Sequence, residues 1–392
     1  MSRLSAPLSA RLQGIPPTIF TQMSALAVRT QSVNLGQGFP DVDGPPAVIA
    51  RAVQALETGR NQYAPGPGVP ELRQAVARHQ QRHYEIELDP DDQVVVTTGC
   101  TEAIAAALLG LVDPGDEVVV LEPYYDSYVA MIQMAGGVRR PVTLRAPNFR
   151  LDLDELRAAV TPATRFVLLN SPHNPTGTVL TSDELAGVAD VAIEHDLVVI
   201  TDEVYEHLVF DVEHVPIATL PGMAERTLTL SSAGKSYSFT GWKVGWATGP
   251  AELVAAVLAA KQWLTFTSGS PLQPAVAHAL DELQDWPADL ARDLRDRRDL
   301  LCDGLASIEG IEVVVPQGTY FATTDVSALG WDDGMAFCRA LPERAGVVAI
   351  PSQVFHDDQR GPGRHLVRWA FCKTPELISE GIDRLAAADL SA

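Results

Sequence analysis

Lysine is nearly missing from this chain. Among 29 basic residues only Lys235, Lys243, Lys261 and Lys373 are lysines, so chemistry that needs a primary amine has few sites to choose from. Cysteine is as scarce. Cys100, Cys302, Cys338 and Cys372 stand apart with no CxxC pair, a spacing that fits neither a zinc site nor a disulfide framework and points to a reducing cytoplasm. No apolar run approaches the roughly 18 residues needed to span a bilayer. The polar start, Met1 to Arg11, lacks the apolar stretch of a secretory leader. Positive charge is outweighed, 29 Lys and Arg against 50 Asp and Glu, for a net charge of −21. Such a surface repels nucleic acid and anionic lipid, so neither is an expected partner. Internal repeats and low-complexity linkers are absent too.

What is present is an ordinary globular composition, 46% hydrophobic, over 392 residues, more than one core usually supports. From Val94 onward short β-branched runs alternate with helical patterns. Val94–Thr98, Glu117–Leu121, Arg165–Leu169 and Leu197–Thr201 read as buried strands; Cys100–Val112, Tyr125–Ala135, Leu153–Val160 and Ser182–Asp196 read as the helices between them. Thr181 and Glu184 form a capping-box pattern at the start of the last of these. The alternation predicts a mainly parallel sheet with helices on both faces, an α/β fold. Helical patterns at Ala251–Leu264 and Leu290–Ser307 follow, then strands at Ile311–Val315, Thr319–Thr323, Val347–Ile350 and Leu366–Ala370 and a closing helix near Leu377–Ala388, which together predict a smaller α+β domain. The Pro- and Gly-rich stretch from Gly14 to Gly44 shows no long periodic element and reads as an arm.

Three places carry chemistry. Gly99-Cys100-Thr101 stands where a strand turns into a helix, and small residues there let backbone amides approach an anion. Simple helix capping explains the same residues equally well. Asn170-Ser171-Pro172-His173-Asn174-Pro175-Thr176-Gly177 and Asp202-Glu203-Val204-Tyr205 both lie at the ends of buried strands, where open α/β sheets bind ligands. Ser231-Ser232-Ala233-Gly234-Lys235-Ser236 resembles the end of a phosphate-binding P-loop, but that motif needs Gly at the place of Thr229. A lysine between apolar strands suits covalent amine chemistry instead, because burial lowers its pKa. His79 and His83, four apart, have a metal-compatible spacing; with Gln80 at the place of a zincin glutamate, a solvated helix face is the expectation.

Taken in order, Asn34-Leu35-Gly36-Gln37-Gly38-Phe39-Pro40, the stretch from Tyr63 to Arg73, Asn174-Pro175-Thr176-Gly177, Asp202 with Tyr205, Ser232 with Lys235, and Arg368 resemble the class I/II aminotransferases across nearly the whole chain. The resemblance implies a fold type I transferase that uses pyridoxal 5'-phosphate. It implies an arm at 1–45, a large cofactor-binding domain at 46–285 and a small domain at 286–392. Lys235 would carry the cofactor as a Schiff base and move the proton at the substrate Cα; Asp202 would pair with the pyridine nitrogen, with Tyr205 and Asn174 at the phenolate oxygen and Tyr125 stacked on the ring. Gly99, Cys100, Thr101, Ser232 and Lys243 would bind the phosphate, Lys243 standing where the family usually has Arg. Arg368 would clamp the substrate α-carboxylate, with Gly36 leaving room. Tyr63 would reach the phosphate of a neighbouring subunit in a homodimer with shared sites. No metal is expected.

The substrates implied are an α-amino acid and a 2-oxo acid, in the cytoplasm. Within the family the resemblance is to the branch holding kynurenine/glutamine aminotransferases and actinobacterial-type N-succinyl-diaminopimelate aminotransferases. Aromatic pocket positions of the former correspond here to Thr18, Thr101 and Thr267, a wider and more polar lining. That favours N-succinyl-LL-diaminopimelate with 2-oxoglutarate, in lysine biosynthesis, over kynurenine, glutamine or methionine transamination or cysteine-S-conjugate β-elimination. A pyridoxal-binding regulator is disfavoured by the acidic charge. The turns at Asn174–Pro175 and Glu122–Pro123 are expected to hold cis bonds.

Overall fold

A computed structural model describes residues 8–15 and 17–392 of the chain. Seven strands form its main sheet in the spatial order Val94–Thr97, Gly245–Thr248, Thr227–Ser232, Val198–Asp202, Thr164–Asn170, Glu117–Glu122 and Val138–Thr143. Gly245–Thr248 runs antiparallel to both neighbours, and the remaining pairs are parallel. The inner strands are apolar at nearly every position because both faces are covered. Val118, Val120, Leu168, Ile200 and Leu228 pack with the helix Gly99–Leu111. The residues between them, Val119, Leu121, Val167, Leu169 and Val199, point the other way and pack with Leu185, Val188 and Ala192 of the helix Ser182–Glu194. That helix opens on the expected capping box of Thr181 and Glu184.

Thr227–Ser232 and Gly245–Thr248 were not read from the sequence as strands, and neither was Val138–Thr143. It lies at the sheet edge, carries Pro141 and alternates between exposed and half-buried positions over its first four residues, so it shows no apolar run. The second sheet is antiparallel, in the order Ile350–Pro351, Leu366–Ala370, Phe321–Asp325, Glu312–Val314. The helices Trp286–Ala306, Gly334–Arg344 and Pro375–Ala387 belong to the same part of the chain. The strand expected from Thr319 begins instead at Phe321, since Thr319 takes a positive φ of 67°.

The arm corrects a larger expectation. Ile19–Thr30 is a regular helix that buries Ile19, Met23 and Ala27, one face at a spacing of four, against Val347–Val348, Ile350–Pro351 and Gly334–Arg344. Its apolar stripe is narrow and partly alanine, which hid it among the surrounding Pro and Gly. Val33–Asn34 then pairs in parallel with Val347–Val348. Residues 1–7 of the arm lie outside the described residues. The bonds before Pro175 and Pro123 are cis as expected, as are those before Pro147 and Pro172.

Candidate active site

The parallel strands deliver their C-terminal residues to one edge. Asn170 faces Asp202 in register, and Ser232 and Thr97 face Gly245 from either side. Above this edge lies a cavity of about 220 Å³ lined by Gly99, Cys100, Thr101, Tyr125, Asn174, Asp202, Tyr205, Ser232, Lys235, Lys243 and Arg368, all anticipated from the sequence. It is where crevices of open α/β sheets form.

Asp202 is buried. Its Oδ2 accepts from Tyr128 Oη at 2.7 Å and its Oδ1 from Cys100 Sγ at 3.5 Å. Burial raises its pKa above the ordinary carboxylate value, the state of an acid that awaits a cationic partner. Asn170 donates to the Asp202 carbonyl at 2.8 Å and accepts from the Asn174 amide at 2.7 Å, so one side chain ties the two motif turns together.

Lys235 sits in the short helix Ala233–Ser236, immediately after the strand that ends at Ser232. Burial pushes its amine below the usual lysine range. Nζ donates to Tyr320 Oη at 3.0 Å, and Tyr320 donates in turn to the Gly38 carbonyl at 2.7 Å. Tyr205 packs edge-on against Tyr320, ring centroids 5.3 Å apart.

At the other end the helix Gly99–Leu111 starts without a side-chain cap, so its first amides remain free for an anion. Gly99 has φ +72°, and a Cβ there would come within 3.0 Å of Lys243 Nζ. Gly245 admits this helix end, since its own Cβ would meet Gly99 C at 2.7 Å. Lys243 Nζ also donates to Thr101 Oγ1 at 3.2 Å. Free amides, an ammonium and the Ser232 hydroxyl form an anion cradle.

Arg368 is 2% exposed and has no carboxylate partner among the described residues. Nη1 donates to Asn174 Oδ1 at 3.1 Å, Nη2 to the Gly36 carbonyl at 3.0 Å, and Nε has no partner. The guanidinium lies over Phe321, 3.9 Å from its centroid, and near Phe20. Burial lowers its pKa to about 10. Gly36 thus stands behind Arg368 rather than on the cavity wall.

Tyr63 is 85% exposed, outside this cavity, and edge-on to Phe266. Of the three threonines, Thr101 lines the cavity. Thr18 bonds Asp126 at 2.7 Å and borders a second cavity of about 540 Å³, while Thr267 reaches the Pro65 carbonyl and lines neither. The 265–268 turn faces the loop at 63–67, beside Tyr63. Tyr128, Phe20 and Tyr320 were not anticipated; nothing local marks Tyr320, which reaches Lys235 across 85 residues of sequence. The solvated face expected for His79 is also wrong: it is 2% exposed and faces His207.

A mainly parallel seven-stranded sheet with a lysine, an aspartate and an anion cradle at its carboxyl edge defines a fold type I transferase. The model of the family aminotransferase class I and II matches residues 30–385, and the chain belongs to that family. It is an aminotransferase, of a family that depends on pyridoxal phosphate. A probable N-succinyldiaminopimelate aminotransferase, DapC, of Mycobacterium tuberculosis is 53% identical, covering 96% of this chain and 97% of the relative. The methionine aminotransferase of Escherichia coli is 40% identical, over 96% of this chain and 97% of its own. The solved structure of N-succinyldiaminopimelate aminotransferase from Mycobacterium tuberculosis superposes with a TM-score of 0.94 at 54% identity, covering 97% of this chain and 99% of that one.

Proposed function

We propose that the chain transfers an amino group from N-succinyl-LL-diaminopimelate to 2-oxoglutarate, using pyridoxal 5'-phosphate held in the cavity beside Lys235. The cavity fits that group: the cradle at Gly99–Thr101, Ser232 and Lys243 suits a phosphate, and Asp202 is a buried acid with no salt-bridge partner among the described residues. When bound, the cofactor supplies an aldehyde for the amine and a ring that withdraws electrons from the substrate Cα.

The protein's share is binding and proton transfer. Lys235, its amine shifted toward the uncharged form by burial and oriented by Tyr320, takes the proton from the substrate Cα. Asp202 keeps a proton on the ring nitrogen, and Tyr128 and Cys100 fix the carboxylate for that task. Tyr205 and Asn174 would hold the ring oxygen by hydrogen bonds, and Tyr125 would pack on the ring. Arg368 carries the reading of the substrate: a buried guanidinium without an acid partner is costly to maintain unless a carboxylate joins it.

The succinyl arm extends toward the second cavity. Phe20 of the first stacks on Phe355 of the second, and Thr18 and Arg339 line the latter. Arg339 has no salt-bridge partner among the described residues and offers a counter-charge for a distal carboxylate. The 53% identity to the mycobacterial relative supports the same reading. The protein works as a cytoplasmic homodimer divided into an arm to residue 45, a large domain to 285 and a small domain beyond. The test compares kcat/KM for N-succinyl-diaminopimelate, kynurenine, glutamine and methionine, since discrimination lives in that ratio. A preference of at least about tenfold, roughly 1.4 kcal/mol, for the succinylated substrate is expected; a preference for any of the others sinks the substrate assignment.

A further inference from the structure

Outside the cavity, three histidines meet at the C-terminal end of the helix Pro70–Tyr84. His79 and His83 stand one turn apart on it, and His207 comes from the turn after the strand Val198–Asp202. Their ring centroids form a near-equilateral triangle, with separations of 4.6, 4.8 and 4.9 Å. One nitrogen from each lies within 4.8 Å of the other two. We propose that His79, His83 and His207 bind a divalent transition ion, Zn²⁺ by preference, as a structural site that ties this helix to the segment bearing Asp202 and Tyr205.

The chemistry of the three rings supports it. His79 Nε2 and His207 Nε2 face each other at 2.7 Å, so one of the two must hold the proton and the other accept it. His79 Nδ1 is buried without a partner, which leaves this contact as the ring's polar tie. When an ion binds, the ring that carries the Nε2 proton shifts to its Nδ1–H tautomer, so both Nε2 atoms act through their lone pairs. Tetrahedral zinc with bonds of about 2.0–2.1 Å sets ligand nitrogens roughly 3.3 Å apart, so the pair opens by about half an ångström. Imidazole ligands suit zinc, copper and nickel, and disfavour magnesium and calcium.

The surroundings fit a cation. Glu206 is buried, accepts from Ser231 Oγ at 2.6 Å, and is the acid whose charge acts on all three rings. Imidazole ligates a metal in its neutral form. Beside them Tyr84 stacks on His207 with an interplanar angle of 15°. His83 is exposed, which gives the ion an entry path and leaves the fourth position to water.

The experiment uses chelator-treated holoenzyme, titrated calorimetrically with ZnCl₂ and followed separately by visible absorbance with Co²⁺. Wild type is expected to bind one Zn²⁺ per chain, to give the visible bands of tetrahedral Co²⁺, and to melt higher with zinc present. His83→Gln, at an exposed position that folding tolerates, and His207→Gln should each weaken binding beyond the roughly 10–100-fold that loss of an outer-shell partner costs. The zinc-dependent rise in Tm should vanish with them. Absence of stoichiometric binding to wild type, or binding unchanged in both variants, overturns the proposal.

Discussion

At the scale of single residues the site is a set of groups held away from their ordinary ionisation. Lys235, Asp202 and Arg368 are all shifted toward their neutral forms by burial. Each is therefore poised to gain from the partner that restores its charge or uses its lone pair. Lys235→Ala should abolish the pH-sensitive visible absorbance of protein-linked pyridoxal phosphate and lower turnover by more than the roughly 10²–10⁴-fold that a proton-transfer group supplies, since covalent attachment is lost as well. Spectra and single-turnover rates of the purified variant check this; a retained protein-linked band rejects the assignment of Lys235. Asp202→Asn should retain cofactor yet lower kcat by at least about 100-fold, roughly 2.7 kcal/mol of barrier. A loss below about tenfold would count against the pairing with the ring nitrogen.

At the scale of elements, strands are tied by charge as well as by ladders. Glu117, at the head of its strand, pairs with Arg140 on the edge strand and accepts from Thr161 at 2.6 Å and from Thr164 at 3.2 Å. Arg140 first, then Thr161, hold its carboxyl down at about 2, against an ordinary value of 4.5. A depressed carboxyl contributes stability above its unfolded value, and that contribution is lost as pH falls from about 4.5 through about 2. Glu117→Gln should therefore cost about 1–3 kcal/mol at neutral pH, with the gap to wild type closing toward pH 3. Urea titrations at the two pH values measure it, and a gap that does not depend on pH would show that the charge is not what holds these strands.

At the scale of the whole molecule the exposed aromatics matter. Tyr63 and Trp263 are 85% and 83% exposed, Leu264 and Phe266 are exposed as well, and Tyr63 packs on Phe266. Such a patch on a strongly acidic surface suits burial against a second copy, which would also carry Tyr63 to the partner's anion cradle. Trp263→Glu should weaken association by about 2 kcal/mol or more, roughly thirtyfold in Kd, and lower activity in parallel as subunits separate. Sedimentation at assay concentration decides it: a wild-type monomer with full activity removes the shared-site reading.

Much of this was legible in the chain itself. Strands covered on both faces must be apolar at successive positions, so Glu117–Glu122, Thr164–Asn170 and Val198–Asp202 announced themselves. Asn174 and Asp202 stood in turns at strand ends, Lys235 followed an apolar strand, and Arg368 was marked by the family resemblance alone. Expectations failed where the signal was not local. The helix Ile19–Thr30 buries a thin stripe against residues more than 300 positions away, and Val138–Thr143 is an edge that needs its neighbour to become a strand. The sequence by itself determined the parallel core of the sheet, the order of the motifs and the amine, because these depend on periodicity and on residue type. Only the tertiary structure decided that Tyr320 holds Lys235, that Arg368 has no acid partner among the described residues, and that His207 joins His79 and His83, because such contacts depend on where distant backbones come to rest.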